Sequence, residues 1–206
     1  MEARALADQV ATQQGARLQM SVIVRIACID PYDKDLAMDQ TVAPAGLLIV
    51  WHSRTGAAEA MARAAWAGAQ AAGDGAARLV PASHAGPDDV IAAAGYLFAC
   101  PENLGGMTGA MKEFFDRSYY PCLGRIAGRG YASAIAAGNA GQGAEAQIDR
   151  IVTGWRLRRV APSLIVCLGV DTAEAIGTSK VLSAMTLQSC HDLGCALATG
   201  LQLGVF

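Results

Sequence analysis

Ser53, Arg54, Thr55 and Gly56 bring hydroxyls, a guanidinium and a glycine into one short stretch. Such a stretch can hold an anion, and a phosphate above all. The residues before it, LLIVW from Leu47 to Trp51, form a continuous apolar run suited to a strand buried on both faces of a parallel sheet. From Gly56 onward the chain is alanine-rich with helical spacing. At a strand-to-helix turn the free N–H groups of the first helical turn point at an anion, and the helix dipole favours negative charge there. Ser53 and Thr55 add hydroxyl donors, and Gly56 lets the backbone come close. The same residues also suit an ordinary helix N-cap, and alone the turn does not decide between the two readings.

Two later loops decide it. One is Pro101-Glu102-Asn103-Leu104-Gly105-Gly106-Met107; the other is Gly138-Asn139-Ala140-Gly141-Gln142-Gly143. Loops rich in glycine and amide groups can lie against a flat heterocycle and hydrogen-bond its edge through the backbone. Together with the first turn, they fit a flat ring attached to a phosphate.

The elements that must position these loops can be read from periodicity. Residues 56–72 are helical, with Glu59 and Arg63 as an i,i+4 pair. Residues 77–81 read as a strand, 87–94 as a short helix with an acidic start, and 96–100 as a third apolar run. Thr108 opens a helix with an apolar stripe at Met111, Phe114, Phe115 and Tyr119, and with Lys112–Asp116 and Glu113–Arg117 pairs on its wet side. Residues 131–137 form a fourth strand, and 145–157 a helix with Ile148, Ile151, Val152 and Trp155 inward. Residues 163–168 are a fifth strand and 180–201 a closing helix. Five strands alternating with five helices predict a doubly wound parallel α/β sheet with helices on both faces. In such sheets ligands bind outside the carboxyl ends of the strands, near the point where strand order reverses.

Composition sets bounds on the rest. A chain of 206 residues with 53% hydrophobic content has the material for one sizeable core. A formal net charge of -2 with no basic run argues against a nucleic-acid partner. The 6 cysteines, Cys28, Cys100, Cys122, Cys167, Cys190 and Cys195, are scattered. They read as reduced core residues, and neither they nor the isolated His52, His84 and His191 have metal-ligand spacing. No apolar run is long enough to span a bilayer and no signal-peptide core opens the chain, so cytoplasm is the default expectation. Self-association into a homo-oligomer is left open. Residues 1–46 carry no readable chemistry. A helix is expected over residues 2–14 and an apolar run over 20–29. A mobile appendage is one explanation of this extension; a natural start at Met20 or Met38 is another.

Several tempting features are set aside. Residues 105–112, GGMTGAMK, lack the glycine before lysine that a P-loop needs. No G-x-S-x-G surrounds Ser53, so it is no nucleophile elbow. Cys100 at the end of a buried strand reads as a packing residue. The stretches 61–66 and 114–120 read as core, with Tyr119 and Tyr120 the pair that could reach over the crevice.

The loops carry a resemblance. HSRTGAAEAMA, PENLGGMTGAMKEFFDRSYYP and GNAGQGAEAQ, in that order, resemble the flavodoxin-like family, particularly its small NAD(P)H-dependent FMN reductase and quinone reductase members. The resemblance covers residue 47 to the C-terminus. It implies a flavodoxin-like, five-stranded FMN-binding domain over 47–206. Ser53, Arg54, Thr55, Gly56, Ala57 and Ala58 would wrap the FMN phosphate. Glu102, Asn103 and Leu104, within the loop that runs from Pro101 to Gly105, would border the isoalloxazine ring, and Gly138 and Asn139 would touch its pyrimidine end. Ala58 stands where the family often has a second hydroxyl, and Leu104 where an aromatic is frequent. Glu102 puts a carboxylate near the ring. The resemblance further implies an oxidoreductase taking electrons from NAD(P)H and passing them to a quinone or other small-molecule acceptor, with no catalytic side chain named. FMN is expected over FAD, because no G-x-G-x-x-G follows a strand. An electron carrier of flavodoxin type and a non-catalytic FMN-binding protein are the alternatives; the small net charge counts against a carrier.

Overall fold

The computed structural model describes residues 45–73 and 77–206. The helix expected over 2–14 and the apolar run over 20–29 lie outside the described residues. Strand β1, Leu47–Trp51, is buried almost throughout and pairs in parallel with β2, Ala77–Pro81, on one side and β3, Gly95–Asn103, on the other. β3 also pairs in parallel with β5, Gly130–Ala137. Beyond β5 the edge position is shared by two short strands, β6, Arg158–Arg159, and β7, Leu164–Cys167, both parallel to it. The sheet order is therefore β2-β1-β3-β5, then β6 and β7, which makes five parallel positions with the last one split. A two-residue strand β4, Gly106–Met107, folds back antiparallel on the end of β3.

Because successive strand residues point to opposite faces, the apolar runs feed two cores. Leu48, Val50, Tyr96, Phe98, Tyr131 and Ile135 face one side, where α2 (Pro87–Ala92), α3 (Gly109–Cys122) and α4 (Gln142–Gly154) cover them. The expected stripe holds: Met111, Phe114 and Phe115 are buried, as are Ile148, Val152 and Trp155. Leu47, Ile49, Leu97, Ala99, Ala132 and Ala134 face the other side, under α1 (Ala57–Ala71) and α6 (Ala184–Gln202). The i,i+4 pairs form as expected, Glu59–Arg63 at 2.8 Å and Glu113–Arg117 at 3.5 Å, with Lys112–Asp116 beside them.

The closing helix differs from expectation. It begins at Ala184, where the Ser183 hydroxyl caps it by accepting from the Thr186 N–H at 3.1 Å. Lys180 is not helical; it ends a connecting segment that contains a short helix α5, Ala173–Gly177. No helix among the described residues is long and apolar enough to cross a membrane.

Candidate functional site

The loop after β1 is shaped by its own side chains. The Ser53 hydroxyl accepts the Gly56 N–H at 3.0 Å, closing a tight turn. Gly56 takes φ 92, the left-handed region that a side chain disfavours, and it leads directly into α1. The first helical bond runs from the Ala60 N–H to the Gly56 carbonyl at 2.9 Å. The N–H groups of Ala57, Ala58 and Glu59 therefore have no backbone acceptor among the described residues, as the start of a helix requires. His52 precedes the loop, its N–H on the Ala99 carbonyl at 3.0 Å. Burial, and then the neighbouring Arg54 charge, lower its pKa, which keeps the ring neutral.

The second loop is a hairpin. Asn103 pairs with Gly106 and Glu102 with Met107, leaving Leu104 and Gly105 as a two-residue turn. Both have positive φ, 52 and 73, the geometry of a type I′ turn. Leu104 is fully exposed at the tip. The Glu102 carboxylate turns to the start of α4, where its oxygens accept the N–H groups of Gly141 at 3.0 Å and Ala144 at 2.9 Å. Gln147 accepts the Met107 N–H at 2.9 Å. A Cβ at Gly143 would lie 2.1 Å from the Gly105 carbonyl oxygen, so the second and third loops meet backbone to backbone.

These loops surround one cavity of about 410 Å³ at the carboxyl ends of β1, β3 and β5. Ser53, Arg54, Thr55, Ala57 and Ala58 line it from the first loop, and Pro101, Glu102, Asn103 and Leu104 from the second. Ala136, Ala137 and Gly138 line it from the end of β5. Gly56, Gly105 and Asn139 do not line it; the glycines supply the turns, and Asn139 is exposed. Tyr119 and Tyr120 stand away from the cavity, with Tyr119 stacked on Trp155 at 6.0 Å. Cys100 is buried, and burial pushes its thiol up to about 12, which suits packing and not redox chemistry. The described residues hold no cluster of metal-ligating side chains.

A fourth wall was not anticipated. Leu168, Val170, Ile176 and Lys180 line the cavity from the segment between β7 and α6. This segment sits close on the third loop, since a Cβ at Gly138 would lie 2.9 Å from the Val170 carbonyl oxygen. The signal available in the sequence was Gly169, Gly177 and Ser183, breakers and a cap that mark residues 169–183 as connection and not helix.

A parallel sheet in this order, with helices on both faces and a crevice at the β1/β3 switch point, is the flavodoxin-like fold. Solved structures agree on the fold. A flavodoxin from the domain Archaea aligns with TM-score 0.61 and 16% identity, over 76% of this chain and 99% of that one. A WrbA-like flavodoxin from Agrobacterium tumefaciens aligns with TM-score 0.56 and 18% identity, over 77% and 98%. The flavodiiron protein from Giardia intestinalis aligns with TM-score 0.58 and 16% identity, over 77% of this chain but only 36% of that protein. No family model matches the sequence, and no curated protein matches it.

Proposed function

We propose that the cavity holds FMN and that the protein is an oxidoreductase passing electrons from NAD(P)H to a quinone or another small acceptor. The observation that carries this reading is the convergence of the three loops on one cavity, with an N–H-rich helix start at one end and backbone-lined walls at the other. Its volume of about 410 Å³ lies within the usual range for cofactor sites. The Thr55 hydroxyl and the N–H groups of Ala57 and Ala58 would take the phosphate, with Ser53 and Gly56 holding the turn in shape. Pro101, Glu102, Asn103 and Leu104, with Gly138, would border the ring; Gly105 and Asn139 shape the loops at its edge. When bound, FMN supplies the exchange of electrons between a nicotinamide and an acceptor. The chain's own part is to bind, orient and exclude water. Exposed Leu104 and half-exposed Ile176 give the cavity mouth an apolar character that suits a small apolar acceptor better than a charged protein partner.

The test uses the purified full-length chain. Absorbance bands of bound oxidised flavin are expected in the visible spectrum, and heat release followed by chromatography should yield FMN. Recovery of FAD would overturn the cofactor. A colourless protein that takes up no added FMN would overturn the reading as a whole. Steady-state NADH or NADPH oxidation with a quinone is then expected; a yellow protein without turnover would leave a carrier or a non-catalytic binder.

A further inference from the structure

We infer that Lys180, on the segment joining β7 to α6, supplies the counter-charge for the phosphate end of the cavity, so that the site prefers a flavin carrying a phosphomonoester. The inference rests on the flavin reading above. The segment leaves the edge of the sheet, forms α5 and returns to the loop after β1. It is fastened at both ends: the Gly169 N–H donates to the Gly138 carbonyl at 2.8 Å, and the Lys180 N–H to the Thr55 carbonyl at 2.8 Å. The second bond places the Lys180 backbone directly against the proposed phosphate loop, and the side chain turns from there to the end of α5. The same bond occupies the Thr55 carbonyl oxygen, whose lone pairs would repel an anion.

Lys180 is half-buried and lines the cavity. Its ammonium donates to the carbonyls of Ala175, of Thr178 at 2.6 Å and of Ile176 at 3.4 Å. These neutral acceptors fix the ammonium in place without cancelling its charge. No carboxylate among the described residues pairs with it. The carboxylate of the cavity wall, Glu102, is engaged by the start of α4. The cavity wall therefore carries two cations, Arg54 and Lys180, and one carboxylate that is already partnered. A phosphomonoester is close to a dianion at pH 7. Placed at the free N–H groups of Ala57 and Ala58, it would meet a matching positive field in a partly desolvated site.

The experiment titrates flavin fluorescence with the full-length parent and with Lys180→Met, Lys180→Gln and Lys180→Arg, using FMN and riboflavin at low and high salt. The neutral variants are expected to lose roughly tenfold or more in FMN affinity and to hold riboflavin within about twofold. Their FMN binding should depend less on salt, and Lys180→Arg should keep most of the parent's FMN affinity. Thermal unfolding of each variant reports the fold. Equal loss of both flavins would make Lys180 only a cap for α5 and overturn the inference, as would unchanged FMN binding. A parent that binds FMN and riboflavin equally well would overturn the inference and leave the flavin reading standing. A parent that binds neither would overturn both.

Discussion

Glu102 shows how far a residue's type and position reach. The resemblance puts it in a loop expected to border a flavin ring, with its carboxylate near that ring. The fold gives that charge other partners, 39 and 42 residues further along, at the N–H groups of Gly141 and Ala144. Spacing identifies the loop; it does not show which way the carboxylate turns, because the partners belong to a helix brought in by the sheet. A carboxylate accepting N–H groups at a helix start gains from charge-assisted hydrogen bonds and from the helix dipole. Glu102→Ala is therefore expected to lower stability by about 1–3 kcal/mol, an effect read as a drop of several degrees in the thermal midpoint. Glu102→Gln, which keeps acceptor oxygen but not charge, should fall between. A Glu102→Ala protein as stable as the parent would show that these bonds contribute nothing net. Lys180 was hidden for a related reason: in the sequence it reads as the opening of a helix, and only the bond to Thr55 ties it to the first loop.

At the scale of elements, α1 and α6 approach until only glycine fits. A Cβ on Gly68 would lie 1.9 Å from the His191 carbonyl oxygen, and one on Gly194 would lie 1.8 Å from that of Ala65. Backbone meets backbone at both points, which explains why this pair of helices is built from Ala62, Ala65, Ala69 and Ala198 where the other face of the sheet uses Phe98, Phe114, Phe115 and Trp155. In a free helix, alanine is better than glycine by about 1 kcal/mol. Here the clash reverses the sign, and Gly194→Ala is expected to destabilise by about 1–3 kcal/mol through overpacking. Denaturant midpoints for Gly68→Ala and Gly194→Ala check this; an increase in either would mean that the helices separate without cost. Periodicity found β1, β3 and β5 and the stripes of α3 and α4, because each is a run with one largely consistent environment; β2, short and half-exposed, was marked by its place between turn-rich stretches. Periodicity did not find β4, β6 or α5, which have too few residues to show a period. The strand expected over 163–168 corresponds to β7 alone; β6 falls just past the expected helix, where Arg158 and Arg159 carry no apolar residue to mark a strand.

Taken whole, the molecule sets a parallel sheet between two cores, and both contain thiols that burial keeps neutral. Burial pushes Cys100 up to about 12, and Cys122 and Cys190 up to about 11; Tyr96 rises to about 12 for the same reason, against the opposing pull of the Arg129 charge. An unfolded thiol releases its proton near 9.0, whereas these hold theirs in the folded state. Between those values the unfolded chain binds fewer protons than the native one, so stability falls as pH rises. The stabilisation is complete below about pH 8.5 and is lost progressively from about pH 9 upward. Cys100, with no exposed surface, should contribute a decline that steepens from pH 9 and approaches about 1 kcal/mol per pH unit above about pH 10, once the unfolded thiol is ionised. Denaturant midpoints are expected to stay level from pH 7 to 8.5 and then to decline. Cys100→Val keeps an apolar side chain in the strand but has nothing to ionise, so its decline should be shallower. A parent whose midpoint holds to pH 10.5, or a valine variant that declines in parallel with it, would show that the Cys100 thiol ionises in the folded protein and that the strand ends beside the cavity admit water.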